Sequence, residues 1–175
     1  ANPRSRFNAR GRDLNRDFPD RISDPINTPA GREAETALIM AFGASHSSVL
    51  SANFHTGALL VNYPYDSSAA SPLPPPKPEW FSPDDDVFQQ VSLAYSQHNM
   101  PMFNSPVFED GISNGISWFQ LFGGMQDWNY VWLGCNEVTI ELSDTFSPAG
   151  SELLDYWEDN RESMLAYMEQ VFIGI

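Results

Sequence analysis

The spacing of apolar residues changes several times along the 175 residues, and each change marks an element. Residues 1–27 are rich in Arg, Asn and Asp, lack any period and read as loop. Thr28-Pro29 offers an N-cap followed by proline at a first helical position. Ala34, Leu38, Ala41 and Phe42 follow at helical spacing, so a helix is predicted over 29–45. Val49 to Phe54 is short, apolar and bounded by polar residues, as a buried strand would be, and a second strand is predicted over 58–63. Residues 66–83 contain Pro72, Pro74, Pro75, Pro76 and Pro78 and read as an extended surface loop. Asp84, Asp85 and Asp86 then precede helical spacing at Val87, Val91, Leu93 and Tyr95, where three acids complement a helix dipole. Residues 103–135 mix Gly, Asn, Met and aromatics without a period and suit a long shaped loop around a site. Val138–Leu142 reads as another buried strand. Residues 151–172 read as a final amphipathic helix with Leu154, Trp157, Leu165, Met168 and Phe172 toward the core. Strands alternating with helices predict an α/β fold, a sheet flanked by helices, although only three or four strands are identifiable.

Composition narrows the function. A 42% hydrophobic chain of this length supports one packed core. No apolar run is long enough to span a bilayer, and no charged-then-apolar leader opens the chain. The single cysteine, Cys135, excludes an internal disulfide and any multi-cysteine metal site, and is expected to be a buried thiol. The formal net charge of −14 argues against nucleic acid as a partner, because phosphate would be repelled. Seven of the eight arginines nonetheless lie within the first 32 residues, at 4, 6, 10, 12, 16, 21 and 32. One cationic neighbourhood in an acidic protein suits an anionic ligand such as a carboxylate. The alternative is a set of surface charges paired with Asp13, Asp17, Asp20 and Asp24.

Two residues stand out as candidates for chemistry. His55 sits at the C-terminal end of a predicted strand, where open α/β sheets bind ligands, whereas His46 ends a helix and His98 lies in a polar passage. A lone histidine is more often structural than a metal ligand. Glu141 lies inside the apolar strand Val138-Thr139-Ile140-Glu141-Leu142, where burial would raise its pKa toward a general base's range. The alternative is a strand-edge carboxylate facing water. The aspartates at 84–86 could bind calcium, but no EF-hand spacing follows them.

Four ordered blocks carry a resemblance. Asp13 to Asp20, DLNRDFPD, resembles the DLNRNFPD-type motif of the zinc metallocarboxypeptidases, in the regulatory subfamily typified by carboxypeptidases D, E, M and N. SANFHTGALLVNYPYD (51–66), GISNGISWFQLFGGMQDWNY (111–130) and EVTIELS (137–143) resemble further segments of that subfamily. The resemblance implies a mixed central sheet flanked by helices, one bound Zn2+ and removal of a C-terminal Arg or Lys from peptides or proteins. By motif position, His55 would be a zinc ligand and Glu141 the general base that activates water. Arg6 would stabilise the oxyanion, and Asn15 and Arg16 would hold the terminal carboxylate. Asp66 would pair with the basic side chain, and Gln126 would form the far wall of its pocket. An exopeptidase must recognise a free carboxylate, and a bidentate Arg does so. An acid in the specificity pocket favours a cationic side chain. An extracellular, secretory or periplasmic setting is implied by the resemblance alone.

Departures from the family pattern shape the expectation. The family's HxxE motif, which supplies two further zinc ligands, lies upstream of the Arg6 position, and none of the three histidines here has Glu three residues on. Residues 1–175 are therefore expected to be the C-terminal portion of a catalytic domain, incomplete at its N-terminus, with two ligands upstream and no peptidase activity alone. Phe119 stands where the family has a mobile tyrosine, keeping the ring and losing the hydroxyl, so weaker substrate binding is expected. Thr56 replaces a usual glycine and is expected to narrow the groove. The competing reading is a non-catalytic module that binds peptide C-termini.

Overall fold

The computed structural model describes residues 5–69 and 80–174; the prolines at 72–78 lie outside the described residues. Its centre is a four-stranded mixed sheet made of β1 (Leu50–His55), β2 (Ala58–Tyr63), β3 (Ile112–Asn114) and β4 (Asn136–Ser143), in the order β1-β4-β2-β3. β4 runs parallel to β1 and antiparallel to β2, and β2 runs parallel to β3.

Side-chain alternation divides the sheet into two unlike faces. One face is apolar: Val61, Tyr63, Val138 and Ile140 pack with Phe88, Val91 and Tyr95 of α2 (Asp85–Ser96), Met102 of α3 (Met100–Phe103) and Tyr167 of α6 (Leu153–Ile173). The opposite face is polar. It carries Ser51, Asn53 and His55 of β1, Asn62 of β2, and Glu137, Thr139 and Glu141 of β4. The first helix, α1 (Ala34–Ala44), lies near a smaller cluster of Phe18, Met40 and Trp128.

Three sequence expectations need correction. The first helix starts at Ala34, not at residue 29. The Thr28 hydroxyl instead accepts from the Ala30 N–H, Arg32 N closes a turn onto Pro29 O, and Gly31 takes a positive φ of 85° that ends the turn. Residues 103–135 are not all loop. They hold β3, two single-turn helices, α4 (Gly115–Trp118) and α5 (Met125–Trp128), and a π-helical turn at Asn129–Leu133, each too short to show a period.

The third correction concerns α6. The five residues expected to face the core, Leu154, Trp157, Leu165, Met168 and Phe172, are all exposed. The buried stripe is Asn160, Ser163 and Tyr167. This stripe combines apolar contact from Tyr167 with buried hydrogen bonds. Asn160 Oδ1 accepts from Tyr95 Oη (2.8 Å) and Asn99 Nδ2 (3.0 Å), and Tyr167 Oη donates to Ser51 O (2.7 Å). Buried hydrogen bonds of this kind orient a helix more narrowly than apolar contact does.

Candidate functional site

The loop 13–20 is ordered by its own side chains. Asp13 caps the 3-10 turn Leu14–Arg16 by accepting from Asn15 N (3.1 Å) and also binds Arg6 Nε through its other oxygen (2.6 Å). Asp17 accepts from Glu33 N (2.8 Å) at the start of α1, and Asn15 Oδ1 accepts from Met125 N (2.9 Å) at the start of α5. The loop thus ties the first residues of the chain to two helix N-termini. The alternative reading of the arginines holds for part of the set: Arg32 pairs with Asp24 and Arg6 with Asp13, whereas Arg10 and Arg12 lie within 4.0 Å of Glu33 instead of the expected aspartates. Arg16 is different. It forms none of the salt bridges among the described residues and donates to Asn15 O (2.7 Å).

Seven of the eight residues singled out from the sequence line one cleft of about 170 Å³: Arg6, Asn15, Arg16, His55, Asp66, Phe119 and Glu141. The eighth, Gln126, lies behind it, 1% exposed, and donates from Nε2 to Asp66 Oδ1 and Asn62 Oδ1 (3.2 Å each). His46 and His98 lie elsewhere, exposed and bonded to backbone carbonyls of their own helices. Asp84, Asp85 and Asp86 are engaged by Tyr130 Oη, Gln89 Nε2 and Val87 N.

His55 and Glu141 are cross-strand partners in the parallel β1–β4 pair. β4 is an interior strand, so Glu141 is not at an edge, and it is 8% exposed. Burial raises its carboxyl to about 7, against the opposing pull of Arg6. Its Oε2 is buried without a hydrogen-bond partner among the described residues, as a group reserved for something in the cleft would be. Burial also lowers the His55 pKa, assisted by the charges of Arg6 and Arg16, so its imidazole is neutral near pH 7 and keeps a lone pair to donate.

Asp66 is 4% exposed and, among the described residues, makes no salt bridge. Desolvation raises its pKa well above the usual carboxylate range, and the nearby Asp127 adds to the effect. A buried acid that faces a cleft and lacks a salt bridge is poised for a cationic ligand.

Besides Thr56, which the sequence places in the groove, the cleft contains Thr139, Asn62 and Phe146. Thr139 and Asn62 pair across β2 and β4 and share the Glu141 face, which strand alternation could have shown. Phe146 joins from the loop after β4, where it packs so close to Gly57 that a side chain there would overlap it. Thr56 lines the cleft and donates from Oγ1 to Phe146 O (3.1 Å), fastening that loop beside the opening. No local signal in the sequence marks Phe146.

The donor set falls short of a complete metal site among the described residues. His55 offers one imidazole, and among the described residues no group of three or more His, Cys, Asp or Glu converges. A catalytic zinc takes three protein ligands, so these residues fit one corner of such a site and not the whole.

Known proteins resemble this chain in sequence and in fold. A model of the family described as "Zinc carboxypeptidase" matches residues 1–163. Carboxypeptidase D of Mus musculus is 44% identical over 97% of this chain, which covers 12% of that protein. Carboxypeptidase M of Mus musculus is 40% identical over 97% of this chain and 39% of its own length. The chain thus spans between about an eighth and two fifths of these relatives. The carboxypeptidase A structure from Helicoverpa armigera superposes with a TM-score of 0.66 over 91% of this chain and 41% of that one, at 14% identity, which speaks for the fold alone.

Proposed function

The chain belongs to the zinc carboxypeptidase family, and on that premise we propose that its cleft receives the C-terminus of a peptide ending in Arg or Lys and serves hydrolysis of the last peptide bond. The observation that carries the reading is the placement of Asp66. It is a buried acid that makes no salt bridge among the described residues, in the same cleft as Arg16, which makes none there either. The cleft offers a donor group for an anion and an acid for a cation, as a C-terminal basic residue requires.

Each residue then has a task set by its chemistry. Arg16, with Asn15 beside it, grips the terminal carboxylate. Arg6, oriented by Asp13, stabilises negative charge that develops on the scissile carbonyl oxygen. Glu141, with a pKa near operating pH and a free oxygen, accepts a proton from water and returns it to the leaving amine. Phe119, 37% exposed, presents a ring to the substrate and no hydroxyl. Zinc supplies Lewis-acid activation when bound, and His55 would contribute one ligand to it. Because one imidazole cannot hold the ion usefully, the 175 residues alone bind substrate without turning it over, and the remaining ligands come from further polypeptide of a longer catalytic unit.

Titration calorimetry with Gly-Gly-Arg, its C-terminal amide and Gly-Gly-Leu tests the reading. The free acid ending in arginine is expected to bind at least about tenfold more tightly than either control. Equal affinity for the amide removes the carboxylate grip, and equal affinity for Gly-Gly-Leu removes the role of Asp66. The reading as a pure binding module is favoured by Phe119 and the single imidazole. The orphaned Oε2 of Glu141, which mere binding does not need, favours the enzyme.

A further inference from the structure

Asp127 has no role so far, yet it is 2% exposed and sits directly behind the specificity pocket. The turn that carries Asp66 is pinned through its carbonyls by four separate donors. Tyr65 O accepts from Ile116 N, Asp66 O from Leu121 N, Ser67 O from the Arg21 guanidinium, and Ser68 O from Gln120 Nε2. The Asp66 N–H is pinned by Asp127, whose two oxygens both lie 3.1 Å from it. The Ser67 hydroxyl adds a weaker bond to Asp127 Oδ2 at 3.4 Å.

The charges around this turn are unevenly matched. Asp20, Asp66 and Asp127 are all buried. Asp20 is held by Ile22 N, Ser23 N and Oγ and, more distantly, Gly123 N. Arg21 lies over the Tyr65 ring, 3.8 Å from its centroid, and is the cation that offsets Asp127, while Arg16 offsets Asp66. Two adjacent buried carboxylates thus share partial compensation from the protein, and the cleft leaves room for a further cation beside the outer one.

We propose that Asp127 is a positioning residue for recognition of a basic side chain. Its carboxylate clamps the Asp66 backbone so that the Asp66 carboxylate faces the cleft, and its charge behind Asp66 makes the pocket a paired-carboxylate receptor for a guanidinium or ammonium group. This rests on the reading of Asp66 as the group that meets the substrate's basic side chain. A neutral residue at 127 could accept the Asp66 N–H through one oxygen at most and would remove the second charge. An incoming cation favours ionisation of the pair, so arginine affinity rises with pH as the carboxylates lose their protons.

The test is calorimetric titration of the chain and its variants with Gly-Gly-Arg and Gly-Gly-Leu between about pH 5 and pH 8. Asp127→Asn is expected to weaken Gly-Gly-Arg about tenfold at the upper pH and to leave Gly-Gly-Leu within about twofold. It should also lower the pH at which arginine affinity is half its plateau, because Asp66 ionises more readily once the neighbouring charge is gone. Equal weakening for both peptides with an unmoved midpoint means a merely structural role and overturns the proposal. If Asp66→Asn loses the arginine preference while Asp127→Asn keeps it, the proposal about Asp127 fails alone. If the unsubstituted chain shows no preference, the reading of Asp66 fails, and Asp127 with it. Should Asp127→Asn not fold, the carboxyl carbon-13 resonance of Asp127 in the unsubstituted chain decides. A shift with Gly-Gly-Arg and not with Gly-Gly-Leu supports the proposal, and the same response to both overturns it.

Discussion

Glu137 offers the sharpest quantitative test of the polar sheet face. It is 1% exposed and accepts hydrogen bonds from Ser51 Oγ (2.5 Å), Asn53 Nδ2 (3.0 Å) and Asn129 Nδ2, joining β1, β4 and the π-helical turn. Burial raises its carboxyl from an ordinary 4.5 to about 7, although these three donors favour the charged form. The folded protein therefore holds this proton more tightly than the unfolded chain does. The stabilising contribution is complete below about pH 4.5, declines as pH rises through 7, and is lost above it. At about 1.4 kcal/mol per pH unit, ionised Glu137 costs on the order of 3 kcal/mol relative to its neutral form. Glu137→Gln keeps a neutral side chain of the same shape at every pH. Asn53 can turn its amide to meet the new NH2 group, because its Oδ1 is buried without a partner among the described residues. Urea unfolding followed by tryptophan fluorescence would give the stability difference between the two proteins. Glutamine should match the original near about pH 5 and exceed it by about 2–3 kcal/mol near pH 8, roughly 4–12 °C in Tm. Other buried acids such as Glu141 and Asp127 also lose protons in this range, and taking the difference between the two proteins cancels them. A gap of the same size at both pH values would refute the assignment of a strained charge to Glu137.

Two further predictions test the pocket and the core. A β-carbon on Gly115 would overlap Asp66 Oδ1 and lie 2.9 Å from Asn62 Oδ1, so Gly115→Ala should cost about 1–3 kcal/mol of stability and abolish the preference for Gly-Gly-Arg; retention of that preference in the folded variant would show that Asp66 is not where the basic side chain goes. Cys135 is buried and its thiol is pushed up by desolvation, so it should react with a disulfide reagent near neutral pH only as fast as the chain unfolds, and prompt stoichiometric labelling of the folded protein would contradict this.

Much of the site was legible in the sequence because its residues come in short motifs. Asp13, Asn15 and Arg16 share one turn, and Glu141 lies in a strand that was recognisable from its apolar neighbours. Their roles came from resemblance, but their types and spacing were on the page from the start. Asp127 escaped notice because an aspartate beside a glutamine in a glycine-rich stretch has no pattern. Only its bond to a backbone N–H 61 positions away gives it meaning.

The sequence by itself determined the longer elements, α1, α2, α6 and the strands β1, β2 and β4, and which of their residues share a face, because these follow from local backbone periods, whereas the short elements between residues 100 and 133 carried none. It did not determine which face meets a neighbour. The apolar row Leu154, Trp157, Leu165, Met168 and Phe172 promised burial, yet α6 docks through Asn160 and Tyr167 onto partners from α2, the turn after it and β1. The opposition of His55 and Glu141 likewise depends on parallel pairing between strands some 86 residues apart, set by register rather than by either strand's own sequence. Tertiary structure decided these matters because desolvation and hydrogen-bond complementarity are properties of pairs, and the pairs here are distant in the chain.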